Sequence, residues 1–390
     1  MTTLWATIII LGVLITIHEY GHFIAARSVG IRVERFSIGI PPRFLTIESV
    51  DDAFLINVYF FKLNKKGKLK WQSIFQKKIL SPGRIGSSTE YVIALLPLGG
   101  YVKMAGIIDE NMDMEMENKD YEFMSKPLWA KLLVLSAGVI MNTILAFFIF
   151  VSLSYYQGTP QIRNEPVIAE VYENKPAYNI GILPGDRIVE INGQGINSWD
   201  ELSSVIHSNP NTEISLLINR QDSLLDYNII TSTQIIPFDS KLDTVGVIGI
   251  TPEILYTNIT LQNAFLLGAE RTLSSFMMIV ESLRMLGSGA ASVKDFGGPI
   301  MIAQLAGQTA EAGMIPFLTF MALLSVNLAF LNILPIPGLD GGHIFIHLIE
   351  AVIRKPLGLK TRIVIQQIGM VFLLMLMVTI IFQDILRLFN

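Results

Sequence analysis

Leu4-Trp5-Ala6-Thr7-Ile8-Ile9-Ile10-Leu11-Gly12-Val13-Leu14-Ile15-Thr16-Ile17-His18-Glu19-Tyr20-Gly21-His22-Phe23-Ile24-Ala25-Ala26 is long and apolar enough to cross a bilayer, and it carries H-E-x-x-H at its core. On a helix, residues i and i+4 share a face. His18 and His22 can therefore grip one zinc ion, with Glu19 beside them as general base for an attacking water. Apart from Tyr20, the segment has no other ionisable side chain. Charged groups are costly at membrane depth, so such a cluster points to function.

The composition supports a membrane setting. Of 390 residues, 51% are hydrophobic and 16% charged, against about 25% charged in soluble domains. Mean hydropathy is +0.50. The net charge of -4 does not suggest nucleic-acid binding. The absence of cysteine excludes disulfides and thiolate metal ligands. No Lys or Arg precedes Arg27, and no small-residue cleavage site follows the apolar run. The first segment therefore reads as a retained span, not a signal peptide.

Four stretches are expected to span: about Leu4–Ala26, Leu128–Tyr156, Pro316–Ile336 and Val364–Leu386. Pro335 and Pro337 break the third. The predicted fold is a polytopic α-helical membrane protein with about four transmembrane helices, a membrane-associated β-hairpin or sheet, and an inserted β-rich domain. The expected divisions are residues 1–156, 157–260 and 261–390. Val33–Leu45, Ala53–Lys62 and Glu90–Met104 read as strands. Asn64–Lys78 reads as a basic surface excursion, and Asp109–Glu122 as an acidic, Met-rich linker. Within 157–260, short β-rich runs surround one helical stretch, Ser198–His207. Leu261–Leu286 reads as an amphipathic helix at the interface.

Between Arg27 and Pro127 lie 15 of the chain's 29 Lys and Arg residues. The positive-inside rule then puts this loop in the cytoplasm, with the N-terminus and residues 157–260 outside. His18 falls roughly 21 Å from the outer end of a core about 30 Å thick. Gly338-Leu339-Asp340-Gly341-Gly342-His343 ends the third span at similar depth.

A catalytic zinc site commonly uses three protein ligands. Asp340 is the candidate third, against the plainer reading of a helix-capping aspartate. His343 and His347, with Glu350 nearby, form a rival i, i+4 pair or an ordinary hydrogen-bonded one. Asn327 and Asn332 lie in an otherwise apolar span and could bond substrate backbone or join helices. A transmembrane substrate must unwind before attack, and an edge strand such as Glu90–Met104 could hold it by strand addition.

Together these pieces resemble the site-2 protease family of intramembrane zinc metalloproteases, in its bacterial regulator-of-sigma-E branch. The likeness rests on His18–His22, Phe36-Ser37-Ile38-Gly39, Thr89–Met104 and Asn327–His343. It rests also on Ala137-Gly138-Val139-Ile140-Met141-Asn142, where Val139 stands in place of the pattern's proline. The resemblance implies Glu19 as base and His18, His22 and Asp340 as zinc ligands. It implies substrate-handling roles for Asn327, Asn332 and Pro335, and for Gly99 and Gly100 in the hairpin. Residues 157–260 look like one PDZ domain, carried by the run Ala177–Gly193. That domain would bind peptide C-termini or the outer segments of substrates. The implied substrates are single-span membrane proteins, such as anti-sigma factors, and signal-peptide remnants. A bacterial inner membrane is the implied location. A membrane metal transporter and a PDZ-bearing scaffold with a dead site are the alternatives.

Overall fold

The apolar run that holds H-E-x-x-H forms one helix, α1 (Thr2–Ser28), in a computed structural model of the chain. Residues 1–50, 53–63, 69–80, 89–107, 119–238, 241–290 and 297–388 are described. After α1 come β1 (Val33–Val50), β2 (Ala53–Leu63), β3 (Leu69–Leu80), β4 (Glu90–Met104) and α2 (Leu128–Gln157). A β-rich stretch follows: β5 (Thr159–Ile162), β6 (Ile168–Val171), α3 (Pro176–Asn179), β7 (Arg187–Ile191), β8 (Gln194–Gly195) and α4 (Trp199–His207). It continues with β9 (Glu213–Arg220), β10 (Ser223–Ile230), β11 (Ser232–Phe238), β12 (Lys241–Val247), β13 (Ile250–Pro252) and β14 (Ile254–Thr257). The chain closes with α5 (Leu261–Ser288), α6 (Pro299–Ala312), α7 (Met314–Ile333), α8 (Asp340–Ile353) and α9 (Leu359–Leu388).

These elements form two units. The first comprises Met1–Val151, Gly268–Ile279 and Val293–Asn390; the second comprises Ser152–Leu267 and Val280–Ser292.

Four helices are long and apolar enough to cross a membrane: Thr2–Ser28, Leu128–Gln157, Met314–Ile333 and Lys360–Arg387. In the first unit, Ala6, Ile10 and Leu14 of α1 pack with Ala306 of α6 and Met321 of α7. Ala146 and Phe150 of α2 meet Ala322 and Val326 of α7. Small residues at these contacts let helix backbones approach closely. Almost none of the α9 window is buried within the chain. Val364, Ile368, Phe372 and Met375 stand exposed along it, as on a lipid-facing helix.

The α7 helix stops at Ile333, three residues short of the expected boundary. Leu334 is extended (φ -62, ψ 143), the conformation favoured before a proline. Neither Pro335 nor Pro337 can donate to a continuing helix. After this break α8 starts at Asp340.

The four-stranded sheet of the first unit has the order β3-β2-β1-β4. Val33–Ile38 pairs with Gly100–Met104 on one side and Glu90–Ile93 on the other, and Arg43–Ile47 pairs with Tyr91–Ala94. Gly100–Met104 is thus the outer arm. Leu69–Leu80 is a strand on β2 with an irregularity at Ile74, so the expected surface excursion is ordered there as a strand, exposed from Ser73 on. The rest of that excursion, residues 64–68, lies outside the described residues, as do 109–118 of the expected acidic linker.

The second unit is built on a sheet of order β10-β9-β7-β8. Its core gathers Ile188, Ile191, Leu202, Ile214, Leu216 and Ile218. Ser198 caps α4, its Oγ accepting from the Glu201 N–H at 3.2 Å. Asp186, in the Pro184-Gly185-Asp186 turn, is buried and bound bidentately by Arg220, with both contacts at 2.7 Å. That carboxylate holds the Arg220 guanidinium above its ordinary range. A groove of about 440 Å³ runs between Leu202 and Ile206 of α4 and the stretch Val247–Ile250.

Candidate metal centre

His18 and His22 lie one turn apart on α1, both buried. The Pro-broken turn after α7 returns α8 so that Asp340, its first residue, meets them. Asp340 Oδ2 is 3.0 Å from His18 Nε2 and 3.4 Å from His22 Nε2. The two Nε2 atoms are 3.2 Å apart. These three edges match a tetrahedral zinc site, where bonds of about 2.0–2.1 Å put ligand atoms about 3.3 Å apart. Asp340 Oδ2 is buried and has no hydrogen-bond donor aligned on it, although both imidazoles are beside it. The three atoms lie close enough to share one ion, and the donor set fits zinc. Among the described residues this is the one group of three or more His, Cys, Asp and Glu side chains able to hold a metal ion.

The two imidazoles are fixed from behind. His22 Nδ1 lies 2.7 Å from the Val134 carbonyl, so Nδ1 donates and Nε2 keeps its lone pair for a metal. His18 Nδ1 lies 3.4 Å from the Asn142 amide, whose Oδ1 is buried and otherwise unbonded. Turning that oxygen to the ring lets it accept from Nδ1–H, which again frees Nε2. Ser325 Oγ donates to the Asn142 carbonyl at 2.8 Å, tying α7 to α2 at this level.

Close helix approach makes room for both rings. A Cβ on Gly138 of α2 would lie 2.5 Å from His18 Cε1 and 2.6 Å from His22 Nε2. A Cβ on Gly21 would lie 2.4 Å from the Ala137 carbonyl oxygen.

Glu19 faces the sheet. Its side chain lies beside the outer arm of β4, Gly100–Met104, across a shared cavity. A Cβ on Gly100 would lie 3.4 Å from Glu19 Cγ. His18, Glu19, His22 and Asp340 line a cavity of about 780 Å³ that Gly100–Met104 also borders. Gly99 is buried just before that arm.

The other expected residues divide. Asn332 Nδ2 is 3.5 Å from His18 Nε2. Asn327 lies five residues earlier on α7, about 140° round the helix from Asn332. Pro335 is exposed in the turn before Asp340. His343 borders the cavity and meets Gln366 Nε2 at 3.1 Å. His347 Nδ1 donates to Glu350 at 3.0 Å. The rival pair thus has separate polar partners. Gly138 and Asn142 belong to the quoted run Ala137–Asn142 but carried no role at the site in the sequence reading, and the Val134 carbonyl was not singled out at all. Asn142 is a lone amide in an apolar span, the same signal that marked Asn327 and Asn332.

The model of peptidase family M50 matches residues 6–67 and 63–376. The chain belongs to peptidase family M50. This M50 protein is similar to the regulator of sigma-W protease RasP of Bacillus subtilis, at 28% identity over 100% of this chain and 99% of that one. It is also similar to the zinc metalloprotease RasP of Bacillus licheniformis, at 28% identity over the whole of both. Against the regulator of sigma-E protease RseP of Salmonella typhimurium the identity is 29%, again over the whole of both chains. Among solved structures, the PDZ domain of an SdrC-like protein from Listeria monocytogenes is 22% identical, covering 24% of this chain and 93% of that one with a TM-score of 0.19. This M50 member is a zinc metalloprotease and a membrane protein.

Proposed function

We propose that this protease cuts peptide bonds of single-span membrane proteins inside or at the edge of the bilayer. The observation that carries this reading is the location of its chemical groups. His18, Glu19 and His22 lie on a helix able to span, and they share a cavity with the open edge of a sheet. His18, His22 and Asp340 would hold the zinc. When bound, zinc polarises the scissile carbonyl and makes water easier to ionise near neutral pH. Glu19 takes the proton from the attacking water and returns it to the leaving amine. Glu19 lines that cavity together with Gly100–Met104. An unwound substrate segment adds as a strand along Gly100–Met104, with Gly99 and Gly100 leaving space for its backbone. Asn332 bonds the substrate backbone or the developing oxyanion, and Asn327 and Pro335 serve substrate handling further along the turn.

The loop charges favour an orientation with the cleavage site towards the cytoplasm and the β-rich unit outside a bacterial inner membrane. Sigma-factor regulation appears in the relatives' names. Anti-sigma factors with one span, and signal-peptide remnants, are therefore the proposed substrates. The groove beside α4 takes peptide C-termini or substrate outer segments in the manner of a PDZ domain.

Cleavage of a model single-span substrate in detergent, with the cut mapped by mass spectrometry, tests this. The expected cut lies within the apolar span or at its cytoplasmic end. Cuts confined to the soluble segments contradict it. Metal content separates the ligands: Asp340→Asn loses zinc and His343→Ala keeps it, and the reverse overturns the ligand set.

A further inference from the structure

The first unit holds a second polar pocket, away from the metal centre. It is a cavity of about 300 Å³ where the start of α2, the end of α8 and the start of α9 meet. Lys131, Arg354, Lys355 and Arg362 line it, against one carboxylate, Glu350. That carboxylate is already engaged three times. It accepts from Arg362 Nη2 at 2.5 Å, from the Leu357 N–H at 2.6 Å and from His347 Nδ1 at 3.0 Å. Arg362 is thereby used, and its Nη1 rests on Met124 Sδ at 3.4 Å. Lys131, Arg354 and Lys355 have no ion-pair partner among the described residues. Four cations thus line a cavity with a single carboxylate, and among the described residues three of them have no ion pair.

The surroundings identify the occupant. Trp129 is 63% exposed two residues before Lys131, at the end of an apolar span, where amphipathic rings mark the headgroup level. Val352 and Ile353 are exposed beside Arg354, giving acyl chains an apolar wall. A soluble anion would use the cations and leave these apolar residues bare. We propose that this pocket binds the phosphate headgroup of an anionic phospholipid, with the chains lying along α8 and α2. Lys131 is seven residues, about 10 Å, along α2 from Gly138. The α8 helix carries Asp340 at its other end, so an occupant here braces the helix that presents that residue. This inference rests on the membrane setting alone and stands or falls apart from the proteolytic reading.

Native mass spectrometry of the full-length protein in detergent, titrated with phosphatidylglycerol, phosphatidylcholine or inorganic phosphate, tests it. Wild type should retain one phosphatidylglycerol saturably. The triple variant Lys131→Gln, Arg354→Gln, Lys355→Gln should bind it more than about tenfold more weakly. Zinc content and melting in lipid-free detergent report whether that variant is folded. If it is not, Lys131→Gln alone decides, with a several-fold loss expected. Equal phosphatidylglycerol affinity in wild type and variant overturns the proposal. So does retention of phosphatidylcholine as strong as that of phosphatidylglycerol. Inorganic phosphate displacing the lipid at equal concentration assigns the pocket to a soluble anion and overturns the lipid source.

Discussion

A methyl group at Gly138 cannot coexist with the two imidazoles as they stand, since it would lie 2.5 Å from one ring and 2.6 Å from the other. Gly138→Ala should therefore abolish stoichiometric zinc binding while circular dichroism reports intact helices. Asn142→Ala should lower zinc affinity about 10- to 100-fold, because it frees the His18 ring to choose the wrong tautomer. Competition with a chromogenic chelator reads both. Zinc affinity unchanged in Asn142→Ala would remove that residue from the ligand support. At this scale the sequence is informative where the chemistry is local. His18, Glu19 and His22 declare themselves through i, i+4 spacing in an apolar run. Gly138 and Asn142 sit more than a hundred positions away, and their part depends on how closely α1 and α2 cross. Residue type and spacing do not encode that distance.

Among the elements, two prolines separate α7 from α8, and their effect is legible from their chemistry. Asp340 reaches the histidines because the chain must leave the helix at Leu334 and restart at Leu339. The α6 helix was not legible. Gln304, Gly307, Gln308 and Glu311 break its apolar pattern, and its start is capped from a distant segment. Asp384 of α9, buried, accepts from the Gly298 and Ile300 N–H groups at 3.0 Å and from Met301 at 3.3 Å. Such a cap satisfies the free donors of a helix start and complements its dipole. Asp384→Ala should destabilise the first unit by about 1–2 kcal/mol, read as a lower melting temperature in detergent. An unchanged melting temperature would deny the cap its weight. β3 escaped the sequence reading for a related reason. Lys70, Lys77 and Lys78 are exposed, as their charge suggests, and only the pairing with β2 shows that the segment carrying them is a strand.

For the whole molecule, hydropathy marks the four helices able to span, because bilayer thickness dictates their length. The texture of residues 157–260 marks a separate β-rich body, and its groove beside α4 is a feature only folding reveals. The chain enters and leaves this body side by side, with Thr159 registered against Thr257. A short linker can therefore replace 157–260. If that body filters substrates by size, its deletion should permit cleavage of substrates with bulky outer domains that wild type refuses. An unchanged substrate range would show that it does not filter. The central claim is that Glu19, beside a zinc held by His18, His22 and Asp340, moves the proton for peptide hydrolysis in the membrane. The most direct measurement is cleavage of a single-span substrate by wild type and Glu19→Gln in detergent, with zinc assayed in both. Activity lost by at least about 100-fold with zinc retained is the predicted result, and cleavage persisting in Glu19→Gln would contradict it.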